Sequence, residues 1–231
     1  MNTTETKDSL QALLGLAAEP VAITFRDEAP QGMERIGTAA PAGCSYWKLA
    51  AEGQAFYTEA TDHANCPIGA YTHGAEMTAP VKSELEGMIG RMVGMQYLKT
   101  EEVPGIPRRA ELLRFVAYGP LSRETGKPDV VLLRGNARQI MLLAEAATAC
   151  GLMSPLPVMG RPACAVVPAT IANGKAATSL GCVGNRVYTG LPDGEFYLAV
   201  PGASIGEMVD ALRAIVAANE ELEQFHQGRC W

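Results

Sequence analysis

The sequence predicts an α/β fold, with a mixed α+β arrangement as its near variant, in one compact domain. Three observations carry that expectation. Apolar residues recur at helical spacing in several separate runs, and short runs rich in β-branched and aromatic residues lie between them. Gly or Pro punctuates nearly every junction. With 231 residues, 48% of them hydrophobic, the chain also buries a sizeable core without needing cross-links.

Each element follows from local composition. Leu10, Leu13, Leu14 and Leu16 sit at helical spacing over residues 9–18, and residues 1–8 read as a disordered tail. Pro20 ends that helix, and residues 21–25 suit a pleated surface. Residues 30–43 form a Gly-, Ala- and Pro-rich loop leading to Cys44; residues 45–52 are then helical and 54–58 a strand. Residues 62–74, dense in Cys, His, Asn, Pro and Gly, read as a surface loop of the kind that carries function. Helical spacing returns over 76–93. Residues 111–118 form a strand broken by Gly119-Pro120, and 130–133 a buried strand. The clearest helix covers 136–150, with Ile140, Leu143, Ala144 and Ala147 on one face and Gly151 capping it. Residues 153–162 form an irregular connection, 164–167 a short apolar strand, and Gly174 opens a glycine-rich loop containing Gly181-Cys182. A strand over 195–200 and an amphipathic helix over 204–219 close the domain, which ends near residue 225. Ser204 and Glu207 form a capping-box pair at the start of that helix.

The two parts of the domain, 9–120 and 121–225, echo one another faintly. Pro20-Val21-Ala22-Ile23 resembles Pro128-Asp129-Val130-Val131, and Gly43-Cys44 with Phe56-Tyr57 resembles Gly181-Cys182 with Phe196-Tyr197. A duplication read this way places Cys44 and Cys182 at equivalent positions.

Charge and composition exclude several classes. A net charge of −6 without a compensating basic face argues against nucleic acid as a partner. The polar start MNTTETKDSL has no basic segment followed by an apolar run, and no stretch approaches the roughly 18 apolar residues that span a bilayer. A soluble, cytoplasmic protein with no membrane partner is expected. In that reducing compartment the six cysteines are expected to be thiols at a site, or small buried residues, and not disulfides.

Four of the six share a local grammar. Cys44, Cys66, Cys164 and Cys182 each lie beside Gly or Pro at the end of a predicted element. Glycine frees backbone N–H groups to hydrogen-bond to sulfur, and no bulky neighbour blocks a cofactor. Four thiolates suffice for an iron–sulfur cluster, a 4Fe-4S cubane being the case favoured, or for a tetrahedral zinc. No C-x-x-C pair occurs, so the ligands must converge from distant segments. Cys150 reads as a buried helix residue and Cys230 as a residue of the chain end.

Other constellations compete. His63, Cys66 and His73 in one segment allow a zinc site or a Cys–His nucleophile, although no protease or acyl-transferase signature surrounds Cys66. Gly181-Cys182-Val183-Gly184-Asn185-Arg186 is the densest glycine segment; Gly181 and Gly184 free backbone amides for a small anion and Arg186 supplies a cation. Arg134 and Arg161 are further candidates for an acidic ligand. The methionines read as core filler.

These segments together resemble the uncharacterised prokaryotic family known as domain of unknown function 169, or ArCR. The resemblance rests on Pro20-Val21-Ala22-Ile23, Gly43-Cys44 with Trp47-Lys48, Asn65-Cys66-Pro67-Ile68-Gly69, Arg161-Pro162-Ala163-Cys164 and Gly181-Cys182-Val183-Gly184-Asn185-Arg186. It implies one full-length domain over roughly residues 10–220 and no particular activity. The four favoured cysteines fall inside those segments; Cys150 and Cys230 do not.

The leading expectation is a cysteine-ligated metal or iron–sulfur protein in redox or electron-transfer chemistry, with a redox protein as its partner and a homodimer as its default assembly. The others are a non-catalytic module for a small anion, and a cysteine-dependent enzyme using Cys66 or Cys182.

Overall fold

The computed structural model describes residues 2–37, 39–124, 126–153 and 162–228. Helix α1 (Thr3–Leu14) opens the chain well ahead of the expected start, so residues 3–8 belong to it and form no tail. The reason is a capping box: the Asn2 side chain accepts from the Glu5 N–H at 2.8 Å, and the Glu5 carboxylate accepts from the Asn2 N–H at 3.0 Å. In chain order there follow β1 (Val21–Arg26), α2 (Ser45–Ala51), β2 (Phe56–Glu59), α3 (Pro67–His73), α4 (Ala79–Gly94) and β3 (Phe115–Pro120). Then come β4 (Val130–Asn136), α5 (Ala137–Ala149), α6 (Val166–Asn173), β5 (Ala177–Ser179), α7 (Val183–Thr189), β6 (Glu195–Pro201) and α8 (Ile205–Gln227).

Three local expectations change. Residues 62–74 are largely helical: a 3-10 turn ends at His63, and α3 starts with Pro67 and ends at a left-handed Gly74. Residues 164–167 are helical too, as the end of a 3-10 turn and the start of α6. Val166, Val167, Pro168, Ala169 and Thr170 are all buried there, and an apolar run buried all round lacks the period that tells strand from helix. The Ser204/Glu207 box does not form, because a 3-10 turn over Gly202–Ser204 holds Ser204 in a helical conformation with no side-chain cap. Most of the irregular connection over 153–162 lies outside the described residues.

The strands make one six-stranded sheet in the order β2-β3-β1-β4-β6-β5, every adjacent pair antiparallel. Alternation along the strands divides the core. Val21, Ile23, Val130, Leu132, Tyr197 and Ala199 point to the face covered by α2, α3 and α6. Ala22, Val131, Leu133, Leu198 and Val200 point to the opposite face, against α1, α5 and α8. Among the described residues, no helix is long and apolar enough to cross a membrane.

The connectivity repeats. Strand β1, helix α2, strand β2, helix α3 and strand β3 stack in the sheet as β1, then β3, then β2; strand β4, helix α6, strand β5, helix α7 and strand β6 stack as β4, then β6, then β5. The two units meet where β1 pairs with β4, and the register is what a local two-fold axis requires: Val21 faces Leu132, Ala22 faces Val131 and Ile23 faces Val130. Helix α4 is extra in the first unit and α5 in the second.

Gly202 marks the tightest joint. A Cβ there would lie 1.7 Å from the Pro128 carbonyl oxygen, while its N–H donates to Asp129 O at 3.0 Å. Backbone cannot give way as a side-chain tip can. Gly202→Ala is therefore expected to destabilise the fold by about 3 kcal/mol or more, read as a lower denaturation midpoint; a loss within about 0.5 kcal/mol would refute it.

Candidate four-thiol site

The helices of the sheet's first face begin with the cysteines. Cys44 immediately precedes α2, Cys66 precedes α3, Cys164 lies in the 3-10 turn leading into α6, and Cys182 precedes α7. Each unit of the repeat thus contributes two thiols at matching places, which makes Cys44 the counterpart of Cys164 and Cys66 the counterpart of Cys182. The equivalence of Cys44 with Cys182 expected from the sequence is not the one the topology gives. Across the units, α2 packs on α7 and α3 on α6. All four cysteines consequently line a single cavity of about 360 Å³.

Their surroundings disfavour the ionised thiol. The five cysteines among the described residues are all free thiols. Burial pushes the Cys44 thiol up to about 12, against a partial offset from the Asn185 amide, and neighbouring thiols raise it further. Burial also raises Cys66 and lifts Cys164 well above the usual range; Cys182 raises Cys66 further, and Cys66, Cys182 and Cys44 raise Cys164 further. A nucleophilic cysteine needs the opposite shift.

Donors nonetheless wait on the sulfurs. The backbone N–H groups of Gly43 and Gly69 lie on Cys66, and the Thr72 hydroxyl sits 3.2 Å from Cys164 Sγ, able to donate to it. Gly69 is glycine for space: a Cβ would fall 2.9 Å from Cys66 Sγ. Asn185 was legible in sequence only as a member of the glycine segment. Its side chain is 1% exposed, lies against the Cys44 sulfur, and has neither amide atom in a fully aligned hydrogen bond.

His63 and His73 stand behind the thiols and not among them. Neither lines the cavity, both are 1% exposed, and their rings are 5.6 Å apart. Thr58 Oγ1 holds His63 Nε2 at 3.0 Å, and His73 Nδ1 donates to Gly69 O at 3.1 Å. His63 Nδ1 and His73 Nε2 have no hydrogen-bond partner. Burial holds the first ring down at about 3 and the second at about 4, so both are neutral at physiological pH. The turn carrying His63 is pinned from outside by Arg35, whose Nε and Nη2 reach the two Asp62 carboxylate oxygens at 3.1 and 3.0 Å.

The expected anion cradle is differently engaged. Gly184 lines the cavity and Gly181 precedes Cys182, but the Arg186 guanidinium donates to Leu180 O at 2.6 Å and Pro192 O at 2.8 Å, and lies 3.6 Å from Asp193. It serves as a brace for its own loop. Arg134 is paired with Glu195 at 2.7 Å, and Arg161 lies outside the described residues, as does Cys230. Cys150, at the end of α5, belongs to the core on the opposite face of the sheet.

Fold and site define the class: a helix-covered antiparallel sheet of two like units whose helix starts bring four thiols to one cavity. The chain belongs to the family described as uncharacterised ArCR, domain of unknown function 169, whose model matches residues 9–211. No curated protein and no solved structure matches it.

Proposed function

We propose that the protein binds an iron–sulfur cluster through Cys44, Cys66, Cys164 and Cys182 and uses it in redox chemistry. The observation that carries the reading is the convergence of these four thiols, two from each unit, on one cavity. A multiply charged cation among buried thiols that oppose one another's ionisation would stabilise them as thiolates, and binding it would release their protons. The Gly43 and Gly69 amides, the Thr72 hydroxyl and the Asn185 amide would then donate to sulfur, the contacts that tune a cluster's potential.

A cubane is the leading case and zinc its alternative. No group of three or more His, Cys, Asp or Glu side chains that could hold a metal ion exists among the described residues. Thiolates of a cubane each bind a different iron, so they share a cavity without crowding one ion. When bound, the cluster supplies one-electron transfer; the chain holds it, orients it and keeps water from it. Free thiols of this kind fit a reducing compartment such as the cytoplasm.

Protein purified without oxygen is expected to be brown, with about four iron and four acid-labile sulfide per chain. Zinc without sulfide would transfer the ligand set to another chemistry. A colourless, metal-free protein that also resists reconstitution with iron and sulfide would overturn the proposal.

A further inference from the structure

We infer that the wall of the same cavity formed by α4 and the segment after it is a binding site for a small molecule with an apolar body and one cationic amine. Helix α4 buries one residue, Leu85, yet carries Met88, Ile89 and Met92 at one helical face, all lining the cavity. Ile68, Leu98 and Ile106 continue the apolar wall. A volume of about 360 Å³ lies in the range of small-ligand sites, and methionines adapt their shape to what they hold.

Glu84 decides the charge. Among the described residues it is the single charged one on the cavity, one helical turn before Met88, and it takes part in no ion pair. Its carboxylate is near enough to Cys66 to oppose ionisation of that thiol. A cationic group on the ligand pairs with this carboxylate, whereas an anionic one is repelled by it. The inference deepens the reading of this cavity as the functional site, but it does not require the cluster to be present.

The test therefore uses the full-length, reduced, metal-free chain, labelled at its methionine methyl groups, with benzylamine, benzyl alcohol and benzoate as probes. Met88→Leu and Met92→Leu assign the two signals. Benzylamine is expected to shift both saturably and to bind about three- to fivefold more tightly than benzyl alcohol, the worth of a partly exposed ion pair, with benzoate weakest. Glu84→Gln, on an exposed position, is expected to bring the amine and alcohol to equal affinity while the protein stays folded. No saturable shift at Met88 and Met92 would overturn the site. Equal binding of the three probes, or a preference unchanged in Glu84→Gln, would overturn the charge assignment. Iron and sulfide content of a separate anaerobic preparation reports on the cluster, so either reading can fail alone.

Discussion

Cys164→Ser is expected to lower the iron and sulfide content of anaerobically purified protein at least about tenfold, with the visible absorption lost in proportion. The residue is 6% exposed, and its sulfur has the Thr72 hydroxyl beside it at 3.2 Å. Serine fills nearly the same space, so the fold should survive while the softer, more polarizable ligand is gone. Cys44→Ser, Cys66→Ser and Cys182→Ser should behave alike, because the four occupy two pairs of matching positions. Cys150→Ser is the internal control: it keeps full iron content, since Cys150 stands on the other face of the sheet. Gly69→Ala is the gentler probe. It leaves every cysteine in place but drives a methyl into Cys66 Sγ, so on the proposed reading it should weaken cluster retention and leave thermal stability nearly unchanged. Full iron in Cys164→Ser, or equal loss in Cys150→Ser, would remove the four-cysteine assignment.

How far the sequence alone revealed this site depends on what each residue's neighbours encode. The four cysteines were legible because glycine and proline beside them are local signals. The same signals misled about shape. Pro67 and Gly74 read as loop formers, yet they are the start and stop of α3, where a missing N–H and a left-handed backbone are wanted. The repeat was hidden by alignment on the wrong glycine. Pro41-Ala42-Gly43-Cys44 and Pro162-Ala163-Cys164 are the matching entries to α2 and α6, and one inserted glycine, with α4 and α5 added in different places, conceals them. Arg186, read as an anion ligand, spends its donors on loop carbonyls; charge was visible in the sequence but its partners were not. Thr72 and Glu84 are ordinary polar residues until the fold sets them near the cysteines, so no pattern in the chain marks them, and Asn185 was marked only as a member of the glycine segment.

Acidification is expected to cost the reduced, metal-free protein about 4 kcal/mol of stability between roughly pH 7.5 and pH 5, because of His63 and His73. Burial depresses both rings from an unfolded value of 6.5, to about 3 and about 4. The sign follows from which state binds protons. Below 6.5 the unfolded chain takes up a proton on each ring and the folded chain does not, so unfolding becomes more favourable as pH falls. The loss continues until pH reaches the folded values, near 4 and then near 3. At about pH 5 each ring contributes roughly 2 kcal/mol of that loss, 1.36 kcal/mol for each pH unit below the unfolded value. A sum of about 4 kcal/mol is a large part of the 5–15 kcal/mol typical of a domain, so the denaturation midpoint should fall clearly across this window. Urea denaturation at the two pH values measures it. The double variant His63→Gln with His73→Gln should be less stable at neutral pH, having lost two packed rings, but should have a much flatter profile over the same window. A wild-type loss under about 1 kcal/mol, or an equally steep profile in the double variant, would place the acid sensitivity elsewhere and leave the two rings as neutral packing behind the thiols.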